Sequence, residues 1–308
     1  TRRQVNPPGQ RVDVHREGQV RQQPVGDLPA ERSAHLGGAL GLNEVGEDIE
    51  PRRHVDRRQH PVLLEDQQAA ILRMPTAKGE LLACFTGGHN DERHNHNDLG
   101  HFIVALDGKL VVPDLGAPVY KTDFFGPQRY TYITASSAGH CCPLIGEHEQ
   151  RAGAEAAGRV LAWQPDGEIP RLALDLTAAY PPEAGLERWT RTLERFPAGT
   201  GAYGPLPARV LVTDVFKTKT PGQKITHRIW SLEGFKEPGE RVEGGGFRLQ
   251  LGALTCEISP APYALMPSRF TAEELLLRDF AGRTLWRIEA VYRTDEQGSL
   301  SVETRFFV

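Results

Sequence analysis

The sequence predicts a mainly β protein, an antiparallel β-sandwich preceded by a poorly structured N-terminal segment. Short apolar stretches recur at intervals of roughly 8 to 15 residues, separated by Gly and Pro, as in β-sandwiches. Several of these stretches alternate apolar and polar side chains with the period of two that a half-buried strand requires. Helix signal is scarce, and no Phe, Tyr or Trp occurs before Phe85.

Residues 1–62 differ in composition from the rest of the chain. They contain ten Arg but no Lys, Phe, Tyr, Trp, Cys or Met. Such a segment buries too little apolar surface to offset the loss of chain entropy, so we expect it to be disordered or loosely packed. Its nine Asp and Glu nearly balance the arginines, which argues against a basic interaction arm. Arg without Lys also suits translation of GC-rich DNA in a non-native frame. We therefore divide the chain into this segment and a β-sandwich domain at 63–308.

Strand patterns begin after residue 62. We expect strands at 69–74, 80–86, 102–106 and 109–113. The last two are joined by Asp107-Gly108, a pair typical of two-residue hairpin turns. The period of two returns at 172–176, 286–292 and 300–306. Thr271, followed three residues later by Glu274, predicts a short capped turn.

Composition restricts the possible partners. The 308 residues carry a net charge of −4, and no basic stripe interleaved with aromatics is present, which argues against nucleic acid. No apolar run approaches the roughly 18 residues that span a bilayer, so we expect a soluble protein. The four cysteines form neither a C-x-x-C pair nor a small-domain disulfide framework. No signal peptide is visible at the start of this sequence.

An eight-residue stretch beginning at His94 concentrates polar chemistry, with three histidines and one aspartate. In an extended segment, His94, His96 and Asp98 would share one face. Imidazole and carboxylate together suit zinc, or iron when two histidines and one carboxylate leave coordination positions open. Asp114 and His140 lie downstream and could complete a site. The alternatives are a solvated turn, a core histidine at position 140 and a turn cap at position 114.

The motifs around this stretch resemble the C-terminal β domain of the heparinase II/III-like polysaccharide lyases. The resemblance covers roughly residues 65–150, and more diffusely the remainder to Val308. It is carried by these segments: Gly87-Gly88-His89-Asn90, His94-Asn95-His96-Asn97-Asp98-Leu99-Gly100, Phe102-Ile103-Val104, Asp114-Leu115-Gly116, Tyr120, Phe125-Gly126-Pro127, Arg129-Tyr130, Ser136-Ser137 and Gly139-His140 through Pro143-Leu144-Ile145.

The resemblance implies a structural zinc ion held by His96, Asp114 and His140. These positions match the second histidine of the H-N-H-N-D run, the aspartate of D-x-G and the histidine that closes S-S-x-G-H. A metal bound from three separate segments would tie a sheet together. His94 would then face the substrate cleft beside the metal.

The resemblance also implies β-elimination on uronic-acid polysaccharides such as glycosaminoglycans or alginate. A base removes the proton at C5, the C4 oxygen leaves, and donors neutralise the adjacent carboxylate. His94, Arg129 and Tyr130 are the expected catalytic residues, with Tyr132 as a further possibility. Both tyrosines have an alternative interpretation as sheet residues with a solvated hydroxyl.

The enzymes of this family carry an α/α toroid ahead of the β domain, and residues 1–62 show no such pattern. We therefore expect a lyase domain that is incomplete without a toroid, with an acidic polysaccharide or oligosaccharide as partner. The resemblance implies a periplasmic or secreted location. Two alternatives stay open, namely a carbohydrate-binding or structural zinc domain without activity, and an Fe(II)/2-oxoglutarate oxygenase using His96, Asp98, His140 and Arg151.

Overall fold

The computed structural model describes residues 60–201, 204–234, 239–242 and 245–308, so the prediction for residues 1–59 lies outside the described residues. The described residues contain strands and four short 3-10 helices, η1 Arg129–Thr131, η2 Ser137–Gly139, η3 Thr177–Ala179 and η4 Pro182–Ala184. The strands are β1 Val62–Leu64, β2 Ala69–Thr76, β3 Gly79–Phe85, β4 His89–Asn90, β5 Phe102–Leu106, β6 Lys109–Val112, β7 Leu144–Ile145, β8 Gly153–Ala157, β9 Arg159–Gln164, β10 Arg171–Asp175, β11 Leu186–Phe196, β12 Gly199–Gly201, β13 Gly204–Leu206, β14 Arg209–Thr218, β15 Lys224–Ser231, β16 Glu240–Val242, β17 Gly246–Leu251, β18 Leu254–Ser259, β19 Ala264–Thr271, β20 Thr284–Arg293 and β21 Ser299–Phe307.

The strands form three large sheets and two small ribbons within the described residues. A five-stranded sheet has the order β1-β2-β3-β5-β6, an eight-stranded sheet β16-β17-β18-β21-β14-β11-β10-β9, and a four-stranded sheet β19-β20-β15-β7. The ribbons are β12-β13 and β4-β8. Neighbouring strands run antiparallel throughout the described part. The predicted antiparallel β-sandwich is confirmed.

The strand pattern predicted from the sequence matches the observed strands closely. The four strands expected between residues 69 and 113 are β2, β3, β5 and β6, with ends shifted by one or two residues. Asp107 and Gly108 have φ values of 49° and 73°, the two positive values that a type I′ turn requires. The predicted hairpin between β5 and β6 is therefore confirmed.

One hydrophobic core joins the large sheets. Leu172 and Leu174 of β10 and Phe306 of β21 are fully buried, as the period of two predicted. The ring centroids of Phe102 on β5 and Phe306 on β21 lie 5.8 Å apart, which joins the five-stranded and eight-stranded sheets. The Leu232 amide donates to the Val111 carbonyl at 3.0 Å, which connects the end of β15 to β6.

The capped turn after β19 is also confirmed. The Glu274 amide donates to the Thr271 hydroxyl at 3.2 Å, and the Thr271 amide donates to the Glu274 carboxylate at 2.7 Å. This reciprocal pair is a capping box. Among the described residues, no helix has the length and apolar character needed to cross a membrane.

The expected extended conformation of the His-rich stretch is wrong. His94 has a φ of 60° and is exposed, whereas His96 is only 5% exposed. The Asn95 amide donates to the Glu92 carbonyl at 3.2 Å, which closes a turn just before His96. Because a left-handed residue interrupts the alternation of a strand, His94 and His96 do not share a face.

Candidate functional site

Loops at one end of the five-stranded sheet carry the buried histidine–aspartate cluster. His101 lies directly before β5, and Asp114 lies two residues after β6. Since β5 and β6 are antiparallel, the start of one and the end of the other meet at the same end of the sheet. His140 is added from outside the sheet, as the residue that ends η2.

Asp114 lies between two buried imidazoles. Its Oδ2 lies 3.4 Å from Nε2 of His101 and 3.4 Å from Nδ1 of His140. Its Oδ1 accepts the Gly116 amide at 2.6 Å, which fixes the carboxylate at the head of the D-x-G turn. The ring of His96 lies beside the cluster, with its centroid 5.3 Å from that of His140.

Two overlapping groups of three residues have geometry that could hold a metal ion. They are His96, Asp98 and His140, and His101, Asp114 and His140, and in each group one ligand atom from every residue lies within 4.8 Å of the others. His140 belongs to both groups. Neither group contains all three predicted ligands, because His96 and Asp114 fall in different groups that share His140, and the groups add Asp98 and His101 to the predicted set.

Hydrogen bonding to His101 indicates which of its ring nitrogens carries the proton. The Cys141 amide donates to Nδ1 of His101 at 3.0 Å, so Nδ1 is an acceptor. The proton of the neutral ring is then on Nε2, which faces Asp114. Burial lowers the pKa of His101 to about 3 despite the nearby carboxylate, which keeps this ring neutral. His101 therefore presents a protonated Nε2 to Asp114 at 3.4 Å.

His140 has the opposite arrangement. Its Nε2 lies 3.0 Å from the Thr134 carbonyl, which can only accept, so this nitrogen carries the proton. Its Nδ1 is buried and faces Oδ2 of Asp114 at 3.4 Å, which is longer than a usual hydrogen bond. Burial opposes a charge on the ring, but Asp114 outweighs that effect and raises the pKa of His140 to about 9. The Nδ1 atom of His140 therefore faces Asp114. In the charged ring it carries a second proton, and in the neutral ring it has a lone pair that can bind a metal.

The Asp114 carboxylate is strongly acidic. Its partial burial favours the neutral form, but His140, His101 and His96 outweigh this effect and hold the pKa of Asp114 well below its usual range. A carboxylate with a lowered pKa that faces the Nδ1 atom of a buried imidazole matches the donor set preferred by zinc and non-haem iron. The residues present therefore fit a divalent metal.

Gln150 holds the loop that contains His96. Its amide nitrogen donates to the Leu99 carbonyl at 2.7 Å, and its amide oxygen accepts the Leu99 amide at 3.0 Å. The Asn90 side chain donates to the same oxygen at 3.3 Å. Gln150 is 5% exposed, so these bonds form away from water and fix the loop firmly.

The three residues predicted as catalytic meet around Asn95. Arg129 donates through Nη2 to the Asn95 carbonyl at 2.5 Å, and the Tyr130 hydroxyl donates to the Asn95 side chain at 3.1 Å. The Arg129 guanidinium lies 5.4 Å from the Phe125 ring centroid, and the same ring contacts His94 edge-on at 5.3 Å. His94 is exposed, while the other two are half-buried.

Tyr132 and the adjacent cysteines lie outside this arrangement. The Tyr132 hydroxyl donates to Asp123 at 2.6 Å, and this bond raises the pKa of Tyr132. Cys141 and Cys142 are free and fully buried. Burial raises the pKa of Cys141 to about 12, which leaves its thiol inert at neutral pH.

Sequence reasoning did not assign a role to Gln150, to Thr134 or to a buried ion pair between Arg191 and Asp214. The sequence does contain a pattern that indicates this ion pair. Arg191 and Asp214 are charged residues at core-facing positions of otherwise apolar alternating runs, between Trp189 and Leu193 in β11 and between Val212 and Phe216 in β14. Two opposite charges at inward positions predict that the strands pair side by side.

The fold and the cluster together define a class of protein, an antiparallel β-sandwich domain with a buried histidine–aspartate centre. No family model matches the sequence, and no curated protein does. Solved structures of heparinase III do share the fold. One, with methylated lysines, matches with a TM-score of 0.60 at 12% identity, over 80% of this chain and 35% of that chain. A second heparinase III matches with a TM-score of 0.57 at 17% identity, over 81% of this chain and 36% of that one.

The heparan sulfate lyase HepC from Pedobacter heparinus also matches, with a TM-score of 0.56 at 13% identity, over 80% of this chain and 36% of that chain. The chain thus spans about a third of the length of these structures. At these identities the likeness is one of fold. The heparinase resemblance predicted from the sequence motifs is confirmed at that level.

Proposed function

We propose that this chain is the β-sandwich portion of a polysaccharide lyase that cleaves uronic-acid polysaccharides by β-elimination. The observation that carries the proposal is the exposed His94 beside Arg129 and Tyr130, both bound to Asn95, on a fold shared with heparinase III. An acidic polysaccharide or oligosaccharide is the proposed partner, and a periplasmic or secreted location is proposed with it.

His94, Tyr130 and Arg129 have different roles in the proposed β-elimination. His94 is solvent-exposed, so its imidazole can reach a sugar and exchange a proton at C5 or at the leaving C4 oxygen. The Tyr130 hydroxyl is the second proton-transfer group, held by Asn95 at 3.1 Å. Arg129 donates to the Asn95 carbonyl, which fixes the loop, and its guanidinium would supply positive charge to a bound uronate carboxylate.

We propose a structural zinc at His96, Asp114 and His140. A divalent ion there would supply charge neutralisation among buried groups and would link the loops before β5, after β6 and at the end of η2. Within this set, His140 would offer Nδ1, because its Nε2 faces the Thr134 carbonyl. His101 would stay outside the ligand set, with its Nε2 facing Asp114 at 3.4 Å.

The decisive experiment follows unsaturated product by its ultraviolet absorbance, with heparan sulfate and alginate as substrates. Because the chain spans about a third of the heparinase III structures, we expect the isolated chain to bind uronate oligosaccharides weakly and release little product. Fusion to the toroid of a heparinase should restore turnover. His94→Ala in that fusion should then reduce turnover by roughly 10²- to 10⁴-fold, the usual share of general acid–base catalysis.

His148→Ala is the matched control, since His148 is half-buried and lies outside both metal-competent groups. Its turnover should equal that of the parent fusion. A fusion that binds oligosaccharide but gives no product would favour a carbohydrate-binding domain without activity. Enzyme-like cleavage by the isolated chain would contradict the proposed division of the active site.

A non-haem iron site is the second candidate, because His96, Asp98 and His140 meet as two histidines and one carboxylate. Arg151, the arginine of the oxygenase pattern, donates to the Ala178 and Glu155 carbonyls. The two carboxylates distinguish the candidates. Asp114→Asn should remove the metal from the zinc site and Asp98→Asn should not, whereas the iron site predicts the reverse and 2-oxoglutarate turnover.

A further inference from the structure

A buried ion pair lies between β11 and β14, beneath the histidine loops. Arg191 and Asp214 face each other in the strand register and are both fully buried. Arg191 donates through Nε to Oδ1 of Asp214 at 2.7 Å and through Nη2 to Oδ2 at 2.8 Å. Trp189 donates to the same carboxylate at 2.7 Å, and His227 lies 3.0 Å from it. The guanidinium is therefore held rigidly in its plane.

The remaining nitrogen of Arg191 points at the histidine loops. Nη1 donates to the Gly100 carbonyl at 2.6 Å and to the Cys141 carbonyl at 2.7 Å. Gly100 is the residue before His101, and Cys141 is the residue after His140. One nitrogen atom thus joins the two loops that present the buried imidazoles to Asp114.

The Cys141 peptide extends this connection to the His101 ring. Its amide donates to Nδ1 of His101 at 3.0 Å while its carbonyl accepts from Arg191. A shift of this peptide would release the hydrogen bond that places the His101 proton on Nε2, toward Asp114. The loops have no other contact with a charged side chain of β11 among the described hydrogen bonds and ion pairs.

We propose that Arg191, held by Asp214, is the positioning residue that sets the distance between the His101 and His140 loops and fixes the tautomer of His101. This inference deepens the proposed metal site and rests on it for the metal measurements. A buried ion pair can often be replaced by apolar side chains without loss of stability. A contribution to stability therefore does not by itself explain why Arg191 and Asp214 are paired here. Directing Nη1 at two carbonyls requires the planar guanidinium, which lysine cannot reproduce.

The test replaces Arg191 by Lys, which keeps the charge but loses the planar set of donors. We expect the variant to bind Zn²⁺ about 10- to 100-fold more weakly in competition with a chelator, the usual effect of losing an outer contact of a metal site. Arg195→Lys is the matched control because Arg195 lies four residues along β11 and also donates to a backbone carbonyl, that of Arg73. It should bind Zn²⁺ as the parent does.

A second readout separates positioning from general loss of structure. Nitrogen-15 correlation spectra of the histidine rings should show His101 of the parent protein as a single Nε2–H tautomer, and the Arg191→Lys variant as a mixture. Should Arg191→Lys fail to fold, Asp214→Asn frees the guanidinium without removing it and should shift both readouts in the same direction.

A folded Arg191→Lys protein with unchanged Zn²⁺ affinity and a single His101 tautomer would overturn the inference. Absence of metal binding by the parent protein would instead contradict the proposed zinc site, and the tautomer measurement would still decide the role of Arg191. An Nδ1–H tautomer of His101 in the parent protein would overturn the inference without any variant.

Discussion

His140 presents its Nδ1 atom to Oδ2 of Asp114 at 3.4 Å while its other ring nitrogen faces a backbone carbonyl. The two groups face each other as a strongly acidic carboxylate and a buried imidazole with a pKa of about 9. In the absence of a metal, a proton on Nδ1 is stabilised by this carboxylate. A divalent ion competes with that proton for the same nitrogen, so metal binding should release protons.

We predict that His140→Ala removes the metal. The substitution deletes the residue shared by both metal-competent groups, so affinity for Zn²⁺ should fall by more than the roughly 10- to 100-fold associated with an outer contact. Elemental analysis after dialysis measures the bound metal. His148→Ala should keep the metal content of the parent, and a metal content in His140→Ala equal to the parent would exclude both groups as the site.

We predict that Gly100→Ala destabilises the protein by about 2 to 4 kcal/mol, through a left-handed backbone and overpacking together. Gly100 has a φ of +82°, and an added Cβ would lie 2.5 Å from Cδ1 of Leu176 and 3.1 Å from the Trp189 ring. Urea unfolding measures the change.

Gly108→Ala is the control for the backbone effect alone. Gly108 has a φ of +73° with open space around it, so its substitution should cost only about 1 kcal/mol. Equal losses at the two positions would show that the loop before His101 is not tightly packed on Trp189.

We predict that stability falls in acid because of Asp214. Burial disfavours its charge, but Arg191 and His227 outweigh that effect and hold the pKa of Asp214 well below the usual 3.8. The unfolded chain therefore takes up this proton at a higher pH than the folded protein. The stabilisation is present above about pH 4 and is lost as the pH falls below it.

Urea unfolding between pH 2 and pH 7 should show this loss. Asp214→Asn should be less stable at pH 7, and its free energy of unfolding should change less as the pH falls. Asp279→Asn is the control, because Asp279 is 46% exposed and pairs only with its neighbour Arg278 among the described ion pairs. If the free energy of unfolding of Asp214→Asn fell in acid as steeply as that of the parent protein, Asp214 would not be the cause of the acid instability.

We predict that none of the four thiols reacts in the folded protein. All four cysteines are free and buried, and burial raises the pKa of Cys84 to about 11 and that of Cys141 to about 12. A thiol-specific dye should therefore label no cysteine rapidly at neutral pH and all four after unfolding in urea. Rapid labelling in the folded protein would show that the segment around at least one cysteine opens readily.

Local sequence patterns predicted much of the fold. The Asp107-Gly108 turn, the capping box at Thr271 and the strand alternation at Leu172 and Leu174 depend on neighbours within a few residues, so they can be recognised without the tertiary structure. The extended conformation predicted for the His-rich stretch is wrong because the prediction considered only neighbouring residues. Its conformation depends on distant partners such as Gln150, which holds Leu99.

The sequence by itself determined the β class, the strand spacing and the residue types available for metal chemistry, because short-range sterics and alternation are properties of adjacent residues. Tertiary structure alone decided which of those residues meet. Asp114 faces His101 as well as His140 because β5 and β6 return to the same end of the sheet, and Arg191 reaches both loops because β11 passes beneath them. These contacts join residues far apart in the chain, and their geometry depends on how the sheets pack.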